Sequence, residues 1–96
     1  MKILKNNEIV ENLDLGVVSA GESKEFTFQV LNDGIGYLKE LAFMVDHPEV
    51  KIVKGPLELN PNEKKELVVK WSPAVDIEEG LKVKLSVEGK KIVKPI

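Results

Sequence analysis

Apolar and polar residues alternate along residues 81–88 with the period of two that a β-strand requires. The apolar positions are Leu81, Val83, Leu85 and Val87, and the polar positions are Lys82, Lys84, Ser86 and Glu88. Such a strand has one buried face and one face in water. Shorter alternations occupy residues 26–30, 41–45 and 67–71, and no stretch sustains the apolar period of a helix. The sequence therefore predicts an all-β protein.

Gly, Pro and Asn residues separate these runs at the spacing that is typical of a β-sandwich or barrel. The predicted strands are 8–15, 23–32, 37–46, 50–58, 64–71, 81–87 and 90–95. Glu88-Gly89 is interpreted as a tight hairpin between the last two strands, because glycine readily adopts a positive φ. A single turn of helix within 74–79 is left open as an alternative. Seven strands without a long helix predict an immunoglobulin-like β-sandwich.

The length of the chain and its lack of cysteine limit how the fold can be stabilised. Ninety-six residues suffice for one core, so residues 1–96 are predicted to form a single immunoglobulin-like domain. Residues 1–7 could form a loose N-terminal arm. Without cysteine, neither a disulfide framework nor a zinc-thiolate site can form. The core must hold the fold alone, and the alternation assigns to it Phe26, Phe28, Phe43, Trp71 and Leu85.

Several short phrases follow one another in a fixed order along the chain. They are Asp14-Leu15-Gly16-Val17-Val18, Gly21-Glu22, Phe26-Thr27-Phe28-Gln29-Val30-Leu31-Asn32-Asp33-Gly34, Leu59-Asn60-Pro61-Asn62-Glu63, Val69-Lys70-Trp71-Ser72-Pro73 and Glu79-Gly80. This order resembles the ASH/MSP group of immunoglobulin-like β-sandwiches, named for hydin-type and major-sperm-protein domains. The resemblance covers about residues 11–88. It implies a binding or building module without chemistry of its own, and it does not name the partner.

Charge and hydropathy argue against several classes of partner. The formal net charge is −2, whereas nonspecific nucleic-acid binding needs a clustered basic face. No apolar segment approaches the length of a membrane span, and residues 1–8 lack the apolar region of a signal peptide. A cytoplasmic location, or a place in a virion assembled in the cytoplasm, is expected. Nucleic acid, membranes and small-molecule substrates are not expected as partners.

The candidate catalytic and metal-binding residues have simpler interpretations. His47 is the only imidazole, and the sequence places no nucleophile or orienting group beside it, as acid–base catalysis would need. Asp76, Glu78 and Glu79 offer oxygen ligands for Ca²⁺, but their spacing matches no EF-hand loop. The segment Gly34-Ile35-Gly36 lacks the third glycine and the helix of a dinucleotide site. Enzyme activity, metals and cofactors are therefore not expected.

Chain direction alternates between successive strands, so the loops are expected to collect at two ends of the sandwich. Residues 32–36, 60–65 and 88–91 share a mixed to basic end with the N-terminus. The acidic end collects Glu22, Asp46, His47, Glu49, Asp76, Glu78 and Glu79. The residues predicted to contact a partner are Ile35 and Tyr37 at the first end, and Asp76, Glu78 and Glu79 at the second. Charge complementarity between the ends would orient docking.

A rigid sandwich with exposed loops suits a structural interaction module. The expected function is docking onto or within a larger protein assembly, such as a filament or a phage or viral particle that the protein decorates. The partner is another protein, either a second copy or the assembly. The alternative is a peptide- or carbohydrate-binding immunoglobulin-like module that acts through its loops, with Tyr37 as its candidate aromatic contact. An enzyme ranks last, because no set of nucleophile, base and orienting group is placed by the sequence.

Overall fold

A computed structural model describes residues 1–77 and 79–93 of the chain. Within these residues the protein is all-β, as the sequence predicts, and its paired strands run antiparallel. Nine strands are described, whereas the sequence predicted seven. They are β1 (Lys2–Lys5), β2 (Glu8–Val10), β3 (Leu13–Gly16), β4 (Lys24–Leu31), β5 (Tyr37–Val45), β6 (Val50–Lys54), β7 (Lys64–Trp71), β8 (Leu81–Val83) and β9 (Leu85–Ile92). Residues 74–77 and 79 form no helical turn, and no helix in the described ranges could cross a membrane.

The strands form one large and two small sheets. The large sheet has five strands in the order β2-β1-β4-β7-β6, and the small sheets are β3-β8 and β5-β9. At the centre of the large sheet, residues 24–31 of β4 pair with residues 64–71 of β7 along their whole length. Phe28 and Val30 are buried along this ladder, whereas Thr27 is exposed and Gln29 is half-buried. The alternation seen in the sequence therefore reports which face of β4 is buried.

One cluster of buried apolar side chains joins the three sheets. Its members are Leu13, Leu15, Val18, Phe28, Val30, Leu41, Val50, Leu59, Leu67, Val69, Trp71 and Val83. Trp71 is 1% exposed and Phe28 is 2% exposed, which confirms that both side chains point inward as predicted. Phe26, Phe43 and Leu85 are half-buried and pack against this cluster. Burial of apolar surface therefore holds the small sheets to the large one.

The N-terminal residues do not form a loose arm. Residues 2–5 are β1, which pairs with both β2 and β4. Ile3 lies opposite Val10 on one side and Val30 on the other, and it packs against the core cluster. The predicted strand 8–15 is also divided, because the chain bends at Glu11-Asn12. Its two parts, β2 and β3, consequently belong to different sheets.

The predicted hairpin at Glu88-Gly89 is wrong. Both residues lie within β9, which runs without interruption beside β5. The chain instead changes partner at Lys84, because β8 pairs with β3 and β9 pairs with β5. The predicted strands 81–87 and 90–95 are therefore redistributed between β8 and β9. Residues 94 and 95 of the last predicted strand lie outside the described residues.

A β-bulge in β5 explains why residue 89 is a glycine. Leu38 and Leu41 both pack in the core, although their odd spacing would place them on opposite faces of a regular strand. An extra residue at Glu40, with a φ of +52°, restores the inward orientation of Leu41. Gly89 lies opposite this bulge. A Cβ at residue 89 would approach Leu41 Cδ2 to 2.8 Å and the Lys39 carbonyl oxygen to 2.9 Å, so only glycine fits without a shift.

Residues 57–59 extend the β5–β9 sheet on the far side of β5. Leu38 and Leu59 exchange backbone hydrogen bonds of 2.9 Å in both directions, and the backbone nitrogen of Leu41 donates to the carbonyl of Leu57 at 2.9 Å. Because β6 belongs to the large sheet, the predicted strand 50–58 is divided near Gly55. Among the described residues, β9 has only β5 as a hydrogen-bonded neighbour, and it is therefore the outer strand of this sheet.

Candidate functional site

The loop between β4 and β5 is fixed by a buried asparagine. Asn32 is 2% exposed. Its Nδ2 donates to the carbonyl oxygens of Gly36 at 2.8 Å and Leu59 at 3.1 Å, and its Oδ1 accepts from the backbone N–H of Gly34 at 3.1 Å. These bonds satisfy backbone groups that strand pairing leaves free. An asparagine in a turn motif is the sequence signal that could have identified this anchor.

The loop between β6 and β7 is joined to the same anchor. The backbone nitrogen of Asn32 donates to the carbonyl of Glu63 at 3.0 Å, and the backbone nitrogen of Asn62 donates to the carbonyl of Asn32 at 2.8 Å. Glu63 Oε1 in turn accepts from the backbone nitrogen of Asn60 at 3.1 Å. We call residues 32–36 together with residues 59–63 the Asn32 end of the fold. Its two loops are fixed to each other rather than independently mobile.

The Asn32 end and the neighbouring ends of β5 and β9 present apolar side chains to solvent. Ile35 projects from the fixed loop and is 80% exposed. Tyr37 is half-buried and lies directly opposite Ile92, which is 45% exposed. We call Ile35, Tyr37 and Ile92 the Ile35 patch. The predicted site residues Ile35 and Tyr37 are two residues apart in sequence, and the register of β5 with β9 adds Ile92 opposite Tyr37.

Charges near the Ile35 patch are largely paired. The N-terminal ammonium group lies 3.0 Å from Asp33 Oδ1, and its hydrogen bond is the main cause that lowers the pKa of Asp33 from its ordinary value. Lys39 pairs with Glu58 and Lys90 pairs with Glu40, each at 3.1 Å. Exposed pairs of this kind add little to stability. The charged groups around Ile35 therefore largely neutralise one another.

Acidic side chains at the opposite end bind backbone groups of other loops. The carboxylates of Asp46, Glu49 and Asp76 accept hydrogen bonds from the backbone nitrogens of residues 84, 74 and 20, at 2.8, 2.8 and 2.7 Å respectively. The predicted contact residue Asp76 therefore ties two loops together. Glu79 is exposed, and Glu78 lies outside the described residues. Formal charge in the sequence could not separate carboxylates that hold the fold from those that face a partner.

The predicted gathering of these acidic loops is supported by backbone contacts. The backbone nitrogen of Gly21 donates to the carbonyl of Pro73 at 3.1 Å, and that of Ser72 donates to the carbonyl of Glu49 at 3.2 Å. Because β4 begins at residue 24 and ends at residue 31, the acidic loops and the Asn32 end lie at opposite ends of the same strand. The described loops of the two predicted groups therefore lie at opposite ends of β4, except that residues 88–91 lie within β9 and form no hairpin loop.

A pocket of about 270 Å³ opens between β9 and the Asn32 end. Leu38, Leu41 and Val87 supply its apolar wall, and Lys90 and Lys91 lie at its edge among the lining residues. Its volume is slightly below the range of about 300–1,000 Å³ that is usual for small-molecule sites. The pocket could hold one side chain or one sugar ring of a larger ligand.

The remaining candidate residues have structural contacts. Nδ1 of His47 accepts a hydrogen bond from the backbone nitrogen of Glu49 at 3.2 Å and thereby closes the turn before β6. Gly36 lies against Lys91, because a Cβ at residue 36 would approach Lys91 Cγ and Cε to 2.8 Å. Within residues 1–77 and 79–93, no group of three or more His, Cys, Asp or Glu side chains is placed to hold a metal ion.

Comparison of the chain with protein-family models, curated proteins and solved structures gave no match. The resemblance to ASH/MSP domains therefore stays a proposal. Ile35 is the most exposed large apolar side chain of the Asn32 end.

Proposed function

We propose that the protein is a non-enzymatic structural and protein-interaction module that docks onto or within a larger protein assembly. The assembly is a filament or a phage or viral particle, on which the protein acts as a decoration or accessory component. The module works in the cytoplasm or in a virion assembled there. Its fold is proposed to be an immunoglobulin-like sandwich of the ASH/MSP type, in which the small sheets cover one face of the large sheet.

The docking proposal rests on one observation, namely that Ile35 is exposed on a loop that is itself fixed. Its side chain is 80% exposed, yet its loop is fixed by the buried side chain of Asn32. A fixed contact loop loses less conformational freedom on binding than a mobile one, so more of the contact energy appears as affinity. Apolar side chains that become fully desolvated in a complex commonly dominate its energy. Ile35 offers an exposed apolar side chain on a fixed loop.

The fold proposal draws support from two of the phrases that carry the family resemblance. The segment Asn32-Asp33-Gly34 and the segment Leu59-Asn60-Pro61-Asn62-Glu63 are distant in sequence. Hydrogen bonds made by the side chain and backbone of Asn32 join them at one end of the molecule. Their joint occurrence in the sequence thus has a physical reason, because each segment supplies hydrogen-bond partners for the backbone or side chain of the other.

A capture experiment tests docking through the Ile35 patch. Wild-type protein and the variant Ile35→Ser are immobilised, and a lysate or particle preparation from the source organism is passed over both. Proteins retained by each are quantified by mass spectrometry. We expect Ile35→Ser to lose the assembly proteins that the wild type retains, because the substitution removes the exposed apolar contact without altering Asn32 or the core.

Leu57→Ser is the matched control for this experiment. Leu57 is 75% exposed and lies in the segment beside β5, outside the Ile35 patch. The control should retain the same proteins as the wild type, and circular dichroism melting should be alike for all three. Docking through the Ile35 patch is excluded if Ile35→Ser retains the wild-type set, or if both variants lose it equally.

The pocket favours a second function, namely binding of a peptide or carbohydrate. Leu38, Leu41 and Val87 would contact an apolar group, while Lys90 and Lys91 could bind an acidic one. A titration with peptide and oligosaccharide panels, followed by NMR of the leucine and valine methyl groups, separates the two functions. Saturable shifts at these three residues would favour ligand binding, and their absence would leave protein docking as the function.

A further inference from the structure

Within residues 1–77 and 79–93, one edge of the eight-residue strand β9 has no neighbouring strand. Among the described residues it is hydrogen-bonded to β5 alone, while the far side of β5 is occupied by residues 57–59. An unpaired edge presents a row of backbone donors and acceptors to any strand that can align with it. β9 is also longer than the strands at other sheet edges, which are β2, β3, β6 and β8. It is therefore the edge on which a further strand would form the most hydrogen bonds.

We propose that β9 pairs with β9 of a second copy of the chain, antiparallel and about a two-fold axis that passes through Gly89. The two β5–β9 sheets would then join into one continuous sheet across the axis. Such an interface is isologous, since the same strand contributes on both sides, and it closes as a dimer instead of growing into a filament. The inference rests on the proposed function in treating the chain as an interaction module, and it adds a second copy as a partner.

The charge pattern of β9 favours this register. In a two-fold antiparallel pair centred on Gly89, Glu88 of one copy lies opposite Lys90 of the other, and the symmetry makes this contact twice. Opposite charges directly across two strands are favourable, whereas like charges are not. A pair centred on Glu88 would place that carboxylate opposite itself, and one centred on Lys90 would place that ammonium opposite itself. The Gly89 register therefore avoids both repulsions.

The apolar residues of β9 are consistent with the same register. Val87 is 39% exposed and Ile92 is 45% exposed in the single copy. In the Gly89 register Val87 faces the hydrocarbon stem of Lys91 from the second copy, and Ile92 faces Ser86. Burying part of these exposed side chains favours association. The strand thus combines complementary charge at its centre with apolar surface on both sides.

The lysines of β9 raise an objection, because lysine often protects an edge strand from pairing. The side chain of Lys91, however, lies across Gly36 of its own sheet, as the 2.8 Å distance to a Cβ at residue 36 shows. The Lys90 ammonium pairs with Glu40 of its own β5 at 3.1 Å, in an exposed contact. An exposed pair of this kind exchanges partners at little cost. Neither lysine therefore has to block the edge.

Sedimentation equilibrium of the purified full chain tests the proposal. We expect the wild type to dimerise as its concentration is raised. Glu88→Lys and Lys90→Glu each place two like-charge contacts across the axis, and each should weaken dimerisation by about tenfold or more. The double variant Glu88→Lys with Lys90→Glu exchanges the two charges and should restore the wild-type dissociation constant. This restoration would identify the register, since no other alignment of β9 depends on both residues in this way.

Lys51→Glu is the matched control, because Lys51 is an exposed lysine on β6 in the large sheet. It should leave dimerisation unchanged although it changes the net charge by the same amount as Lys90→Glu. Thermal melting at low concentration confirms that every variant is folded. The proposal is overturned if the wild type stays monomeric up to millimolar concentration, if the single variants dimerise like the wild type, or if the double variant fails to recover.

These outcomes are separable from failure of the proposed function. Dimerisation is measured on purified protein without any partner, and Ile35→Ser should not change it, because Ile35 lies outside β9. Loss of captured proteins in Ile35→Ser with unchanged dimerisation would support docking alone. A restored double charge variant with unaltered capture by Ile35→Ser would support the dimer alone and exclude docking through the patch.

Discussion

Replacing Asn32 by alanine should both destabilise the fold and loosen the loop of residues 32–36 that carries Ile35. The substitution removes the hydrogen bonds to the carbonyls of Gly36 and Leu59 and to the backbone nitrogen of Gly34. Leu59 keeps a second donor, since its carbonyl also accepts from Leu38 at 2.9 Å. The groups of Gly34 and Gly36 lose a partner in a part-buried site. At about 1 kcal/mol for each hydrogen bond, with some added desolvation, we expect a loss of about 3 kcal/mol.

Urea denaturation followed by the fluorescence of Trp71 measures this loss. Trp71 is 1% exposed, so its emission should shift to longer wavelength when the protein unfolds. Asn12→Ala is the matched control, because Asn12 is exposed, and it should change the free energy of unfolding by less than about 0.5 kcal/mol. In an NMR spectrum of Asn32→Ala, the amide signals of residues 33–36 should broaden or exchange faster with solvent, whereas those of β7 should not.

Asn32→Asp distinguishes the role of the amide donor from the role of side-chain shape. The new side chain keeps the size and the acceptor of asparagine, but its carboxylate faces carbonyl oxygens and cannot donate. Burial beside these oxygens should raise the pKa of the introduced carboxyl group in the folded state. Stability should therefore fall as pH rises through that pKa, and part of it should return at low pH, where the protonated group donates one bond. A loss below about 1 kcal/mol for alanine, or wild-type stability for the aspartate variant at neutral pH, would refute the anchor.

Two further substitutions test the bulge and the core. Glu40→Gly should raise the free energy of unfolding by about 1 kcal/mol, because Glu40 has a φ of +52° and glycine adopts this conformation without strain. Thermal melting would show a loss instead if the bulge were not under strain. Trp71→Ala should lower the free energy of unfolding by about 3–5 kcal/mol, since it empties a site in the centre of the core cluster. A native emission maximum near that of free indole in water would contradict the burial of Trp71.

The central strands could be predicted because the alternation of apolar and polar residues within each strand shows which face is buried. The predicted strand 64–71 coincides with β7, and the predicted strand 23–32 exceeds β4 by one residue at each end. Both strands lie in the middle of the large sheet, where one face meets the core along the whole length. Alternation of side chains then reports the buried face directly. The inward orientation of Trp71 follows from the same pattern.

The edge strands could not be predicted in this way. β1 has only four residues, and its place in the sheet depends on Ile3 meeting Val30, which lies far away in sequence. The break between β2 and β3 likewise depends on two different sheets being available to accept them. Short segments carry too few side chains to show a period. Their structure is decided by pairing between distant residues, which a single sequence does not display.

In the candidate site too, features that depend on one residue could be predicted, whereas features that depend on contacts between distant residues could not. Ile35 and Tyr37 were predicted as contact residues because apolar side chains at the mixed to basic end would add buried contact area, and in the structure Ile35 is exposed and Tyr37 is half-buried. Asp76 was grouped with Glu79 by charge alone, yet its carboxylate is bound to a backbone nitrogen of another loop at 2.7 Å. A sequence shows that a carboxylate exists. It does not show which backbone donor the fold brings to that carboxylate.

Gly89 was wrongly interpreted as part of a hairpin turn, but it still reports close packing against the neighbouring strand. The dipeptide Glu88-Gly89 has the composition of a hairpin turn. Glycine is needed at residue 89, however, because Leu41 on the adjacent strand β5 fills the space that a Cβ would occupy. Substitution of Gly89 would therefore damage the β5–β9 pairing and the proposed dimer axis at once, and it could not distinguish them. Charge exchange between Glu88 and Lys90 avoids this difficulty, because both side chains are exposed. The sheet can stay intact while the contact between two copies is reversed and then restored.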